Sequence, residues 1–308
     1  MDATKAAFID STTLLDDAVA LRARAAEEGY LYFKRLLPKD LVLELRRQIL
    51  DVCSKHGWVD PRSDLMDGVG NIEAIRGLFD RNEAKRGVGI SLEAYTDVQR
   101  LELFHSLPHH PKLISVYRML VGDRVLPHPR NIARIMLPDS RLAPTPPHQD
   151  FIHIQGTEKV WTCWFPLGDC PRRLGGLCIL RGSHKEGLLP VKAADGAGGL
   201  EAWLCNNEHE WLENDYEAGD VLTFPSYTVH KALPNTLGNL IRLSCDYRFQ
   251  SAVEDIEPNS LLPHYQVTTW EDIYTGWQNP KIQYYWKNER LSFSEWDESI
   301  RWQKVDIC

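Results

Sequence analysis

From Val125 onward the chain breaks into short apolar runs, RNIARIML, HQDFIHI, KVWTCWFPL, LCILRGSH, DVLTFP and IRLSCDYRF, each punctuated by proline, glycine or polar turn residues. Strands of that length at regular spacing with turn signals between them make a sandwich or a barrel. The texture before Val125 is different. Leu14, Ala18, Leu21 and Ala25 recur at helical spacing, and Gly29 closes that segment as a C-terminal cap. Tyr30 to Phe33 read as a strand. Pro38 opens a second helix with Leu41, Leu45, Ile49 and Val52 on one stripe. The stretch 60–89 has no clear period and reads as loop, followed by helices over 92–104 and 111–121. The expected fold is mainly β with flanking helices: a helical wall over 1–124 against a jelly-roll core over 125–250. The segment 191–219, with ADGAGG and few strand formers, reads as a lid inserted in that core. Residues 251–308 form an extension rich in aromatics, among them Trp270, Tyr274, Trp277, Tyr284, Tyr285, Trp286, Trp296 and Trp302, expected to pack on the barrel exterior.

A chain of 308 residues, 43% of them hydrophobic, can bury a large core as one domain. The formal charge of −8, with no long basic run, argues against nucleic acid and anionic membranes as partners. Seven scattered cysteines with no C-x-x-C pair read as reduced thiols in a cytoplasm. The N-terminus lacks the basic and apolar regions of a secretion signal, and no run is long enough to cross a bilayer. A soluble, cytoplasmic protein acting on a small molecule is expected.

His148 and Asp150 stand two apart in PTPPHQDF, followed far downstream by His230 in GDVLTFPSYTVH and by Arg242 in LIRLSCDYRF. In an extended strand residues two apart share a face, so His148 and Asp150 can hold one metal ion together. A third ligand must come from elsewhere. Two imidazoles and a carboxylate form the facial triad of non-heme Fe(II) oxygenases, which leaves positions open for cosubstrate and oxygen. In the same regular strand His153 alternates away from both residues. His184 reads as structural, and the histidines at 105, 109, 110 and 128 as loop or helix-end residues.

The chain resembles the phytanoyl-CoA dioxygenase family of Fe(II)- and 2-oxoglutarate-dependent oxygenases. HQD at 148–150, GGLCILRGSHKEG at 175–187, GDVLTFPSYTVH at 219–230 and NTLGNLIRLSCDYRF at 235–249 carry the resemblance. It implies a double-stranded β-helix, cupin-like core with Fe(II) on His148, Asp150 and His230. It also implies 2-oxoglutarate chelating that iron, with Arg242 on its far carboxylate and O2 as the oxidant. A guanidinium makes a two-pronged fit to a carboxylate, and Ser244, two residues on, shares its face. Trp164 falls where the family has a tryptophan beside the cosubstrate, and Thr145 reaches it from the approach to the first ligand.

The reaction so implied is hydroxylation, with release of succinate and CO2. Desaturation, cyclisation and epoxidation use the same triad. Asp150 argues against halogenation, because the related halogenases lack the carboxylate. Arg134, Gln149 and Phe151, on or beside the ligand strands, are candidates for substrate contact, and a buried Arg134 requires an acidic partner or a substrate carboxylate. Two other readings compete: a jelly roll that binds metal or ligand without turnover, and a cupin-like enzyme using zinc or manganese. Arg242 speaks against the latter, which has no need of a carboxylate clamp.

Overall fold

The computed structural model describes residues 6–204 and 209–301. Its first part runs α1 (Ala18–Glu28), β1 (Leu31–Phe33), α2 (Lys39–Lys55), α3 (Ile72–Asp80), α4 (Leu92–Gln99), α5 (Glu102–Ser106) and α6 (Pro111–Val121). Asp17 caps α1 by accepting the N–H groups of Val19 and Ala20, and Gly29, at φ 76°, ends it in the left-handed conformation that glycine adopts without strain. Helix α2 buries Val42, Leu45, Ile49 and Val52 along one side. Helix α3 corrects the expectation of loop over 60–89. Asn71 caps it through Ala74 N–H, but it buries only Ile75 and Leu78, too few turns to show a period.

The strands that follow are β2 (Val125–Pro127), β3 (Ile132–Met136), β4 (Trp161–Pro166), β5 (Leu177–Leu180), β6 (Val191–Ala193), β7 (Leu200–Ala202), β8 (Trp211–Leu212), β9 (Val221–Pro225), β10 (His230–Ala232) and β11 (Arg242–Ser251). The larger sheet has the order β1-β9-β4-β11-β2, with β3 also paired to β11, and the smaller has the order β10-β5-β8. All their pairings are antiparallel. The run HQDFIHI is not a strand. It makes one isolated bridge at His148 and then turns into a short helix, α7 (Phe151–Ile154). The expected lid over 191–219 is also narrower than its sequence suggested: β6 and β7 form a separate hairpin, whereas Trp211 already pairs with Leu180 in the smaller sheet.

Two cores flank the larger sheet. On its outer side Leu243, Cys245, Tyr247 and Phe249 of β11 pack with Leu45, Tyr95 and Tyr117 of the helices. Between the sheets Trp164, Leu222 and Phe224 meet Leu177, Ile179 and Leu212. Burying each such side chain contributes about 1.5–3 kcal/mol. The alternate residues of β11, Arg242, Ser244, Asp246, Arg248 and Gln250, are equally buried but polar. Buried polar groups cost free energy unless each finds a partner, so this inward row marks where packing has yielded to chemistry.

After β11 the extension gathers Trp270, Tyr274 and Trp286, with helix α8 (Trp270–Ile273), against Leu126 and Ile256. Trp302 lies outside the described residues, as do Cys205 and Cys308. The five described cysteines are buried, and none is in a disulfide among the described residues. No described helix is long and apolar enough to cross a membrane.

Candidate metal centre and its two chambers

His148 and His230 are joined backbone to backbone. Each N–H donates to the other's carbonyl at 3.0 Å, which sets their imidazoles 4.1 Å apart between centroids. His230 opens β10 just after the chain crosses from the larger to the smaller sheet, so the bridge spans the mouth between the sheets. Asp150, with helical backbone, then starts α7 and turns its carboxylate back toward the pair. Its Oδ1 lies 3.7 Å from His148 Nε2 and 3.8 Å from His230 Nε2. One ligand atom from each of the three residues lies within 4.8 Å of the others, and all three are buried. The expected cluster therefore forms, though a helical turn rather than strand alternation closes it.

The imidazoles are preset for a metal. Each Nδ1–H donates to a backbone carbonyl, His148 to Pro146 at 2.8 Å and His230 to Thr228 at 3.0 Å, leaving both Nε2 lone pairs facing Asp150. Burial holds His230 down at about 3, so its imidazole is neutral at ordinary pH, the form that can bind a metal. Burial alone would raise Asp150, but the Arg248 guanidinium beside it acts the other way and the carboxyl is held well below the usual range. Thr162 Oγ1 also donates to Asp150 Oδ2.

Behind the cluster is a narrow inner chamber bounded by Thr145, Trp164, Leu177, Phe224, Ala232 and Arg242. Arg242, 3% exposed, donates from Nη1 to Ser244 Oγ at 2.6 Å, while its Nε has no partner. No carboxylate is paired with it among the described residues. A buried guanidinium in that state suits an anionic ligand carrying a carboxylate. Sequence reasoning thus brings Arg242, Ser244, Trp164 and Thr145 to one place.

In front is an outer chamber of about 170 Å³, lined by His148, Asp150, Arg134 and Arg248 and by residues from several loops. Arg134 does line it, but its partner is internal: Nε donates to Asp246 Oδ2 at 2.7 Å and Nη1 to Gly87 O at 2.8 Å. Gln149 and Phe151 do not face either chamber. Gln149 spends its amide on the carbonyls of Gly187 and Tyr227 and on Leu189 N–H, tying loops together, and Phe151 packs edge-on against Tyr227 at 5.1 Å. The substrate-contact expectation for both is corrected.

His153 is corrected in the other direction. The helical turn brings it to the outer chamber, 5.7 Å from His148 between ring centroids, with its Nε2 buried and unpartnered. His128, Arg130 and Arg248 also line that chamber and were missed, as were Ser260, His264 and Tyr265 of the aromatic extension. The signal for Arg248 was present: it continues the period-two row that begins at Arg242. His184, as expected, is structural, bonded to Ala26 O.

A family profile described as Phytanoyl-CoA dioxygenase (PhyH) matches residues 25–242. Among curated proteins the chain is 27% identical over 277 residues to the 1-deoxypentalenic acid 11-beta-hydroxylase of Streptomyces exfoliatus, covering 85% of this chain and 92% of the relative. Among solved structures it is similar to the non-heme alpha ketoglutarate dependent carbocyclase SnoK from nogalamycin biosynthesis, with TM-score 0.53, 19% identity and coverage of 82% of this chain and 90% of that one. EvdO2 from Micromonospora carbonacea var. aurantiaca, complexed with 2-oxoglutarate, aligns with TM-score 0.51 and 19% identity over 78% of this chain and 94% of its own. These structural likenesses bear on the fold, a cupin-like barrel of antiparallel sheets.

Proposed function

The chain belongs to the phytanoyl-CoA dioxygenase family, and from that premise we propose that His148, Asp150 and His230 hold Fe(II) while Arg242 and Ser244 hold the far carboxylate of 2-oxoglutarate. The protein is an Fe(II)- and 2-oxoglutarate-dependent oxygenase that oxidises a small organic molecule. When bound, these groups supply the oxidising chemistry, O2 being reduced as 2-oxoglutarate loses CO2 and becomes succinate. Hydroxylation is the outcome we assign, supported by the likeness to a hydroxylase.

What the chain's own residues do follows from their positions. Pro146 and Thr228 carbonyls fix the imidazole tautomers, and Thr162 and Arg248 hold the Asp150 carboxylate in place. Trp164 and Phe224 wall the inner chamber with apolar surface, which strengthens the pairing of Arg242 with a carboxylate by excluding water. His148 and Asp150, 4% and 3% exposed, line the outer chamber as well as the inner one, so the metal they hold faces the place where the substrate is to sit. A reducing cytoplasm suits five buried cysteines that form no disulfide among the described residues.

The observation that carries this reading is the buried Arg242 guanidinium, bonded to Ser244 but matched by no carboxylate among the described residues, on the far side of a three-residue cluster able to hold a metal. Its test is an anaerobic titration of the metal-free protein with Fe(II) and 2-oxoglutarate, followed by the visible charge-transfer band of the chelate. The band is expected in the wild type and lost in His230→Ala. A folded, metal-loaded protein without the band would overturn the reading in favour of a metal-binding jelly roll of another kind.

A further inference from the structure

The outer chamber carries more positive charge than its walls neutralise. Arg130, Arg134 and Arg248 all line it. Arg134 is matched by Asp246. Arg248 faces Asp150, whose charge is shared with the metal once that is bound. Arg130, in the turn between β2 and β3, makes no hydrogen bond or ion pair with any described residue, and its Nε is buried. The acid it feels is Glu257, whose two carboxylate oxygens are already bonded to Asn259. Strand pairing brings the two arginines near each other, since His128 N–H donates to Arg248 O at 2.8 Å.

We propose that the outer chamber takes a compact organic acid, its carboxylate gripped between Arg130 and Arg248 and its apolar body resting on Ile132, Ile154 and Ala197. The inference rests on the oxygenase reading and names the substrate class of the same site. Arg130 is half-buried, with its Nε shut off from water and unpartnered, and a bound carboxylate would supply the missing acceptor. The planar fork of arginine matches a planar carboxylate through two parallel N–H donors. A chamber of about 170 Å³ is small beside the roughly 300–1,000 Å³ of sites for drug-sized ligands, so the acid is compact.

The aromatic extension supplies a further donor. Tyr95 Oη accepts Ala133 N–H and shares a hydrogen bond of 2.8 Å with His264 Nδ1; when the phenol is the donor of that bond, His264 carries its proton on Nε2 and can donate it to a ligand. Nearby, Tyr265 closes over Gly87, where an added Cβ would come within 2.0 Å of the tyrosine hydroxyl. Ser260, His264 and Tyr265 line the chamber, so the extension supplies a wall of the proposed substrate site as well as exterior packing.

The test uses the full chain with Fe(II) and 2-oxoglutarate under nitrogen. Cyclohexanecarboxylic and adamantanecarboxylic acids, each against its primary amide, are titrated by calorimetry and by the shift of the chelate band. The acids are expected to bind at least about tenfold more tightly than the amides. Arg130→Met should remove most of that preference and leave 2-oxoglutarate affinity and amide binding unchanged, and Arg130→Lys should recover part of it. Equal binding of acid and amide, no binding of either acid, or an unaltered preference in Arg130→Met would overturn the proposal while the band persists. Absence of the band in the wild type would instead overturn the oxygenase reading.

Discussion

Arg248 lays Nη2 across the Asp150 carboxylate, 3.3 Å from each oxygen, with both side chains nearly inaccessible to water. In the metal-free protein this arginine is the strongest influence opposing the burial of that charge. Removing one partner of a buried pair costs about 3–5 kcal/mol because the other is left uncompensated. Arg248→Met should lower the unfolding free energy of the metal-free protein by about that amount, measured in urea. Bound metal would take over the charge compensation, so the loss should shrink in metal-loaded protein. An equal loss in both forms would show that Arg248 acts through packing alone.

Thr162, on β4, donates its hydroxyl to the Asp150 oxygen turned away from the imidazoles. Partners that orient a ligand typically carry about 10–100-fold in metal affinity. Thr162→Val keeps the shape and deletes the donor, so iron affinity should fall within that range while the fold, followed by circular dichroism, is retained. Unchanged affinity in a competition assay with a chelator would remove Thr162 from the centre.

The three residues of the candidate metal cluster were legible because the H-x-D pair and the later His230 suffice to find them, even though the local backbone was misread. HQDFIHI has strand composition, but Asp150 takes helical dihedrals and α7 follows. That choice reverses the direction of His153 and leaves Gln149 bonded to loop carbonyls. Alternation was followed from Arg242 only as far as Ser244. Carried along all of β11, it gives Asp246, Arg248 and Gln250 and with them the polar row of the barrel interior. His128, Arg130 and His264 had no such pattern, since turns and a distant extension deliver them, and only tertiary packing brings them to one chamber.

His105 lies away from the metal centre, buried, with Nε2–H donated to Gln99 O and Nδ1 accepting from Asn131 Nδ2. Burial lowers it to about 3, against about 6.5 in the unfolded chain. Between those values the unfolded chain binds a proton that the folded one does not, so stability is full above about pH 6.5 and falls on acidification. The slope is about 1.4 kcal/mol per pH unit for one such histidine. His105→Gln should flatten the dependence of urea midpoint on pH in that window. An unaltered slope would place the acid sensitivity elsewhere.

Arg242 and the metal cluster are expected to separate by function. Arg242 holds no metal-ligand atom and makes its one side-chain bond to Ser244, whereas His148, Asp150 and His230 converge on one point. Losing a sheltered charge-assisted pair costs about 2–5 kcal/mol, which is roughly 30-fold or more in affinity. Arg242→Ala should therefore weaken 2-oxoglutarate binding by at least about that factor and leave iron binding close to wild type, and Asp150→Ala should lose both. Lysine at 242 keeps the charge without the fork and should restore only part of the affinity. The anaerobic chelate titration reads both quantities, and loss of iron in Arg242→Ala equal to that in Asp150→Ala would show that the arginine supports the fold of the centre and is not the cosubstrate's anchor.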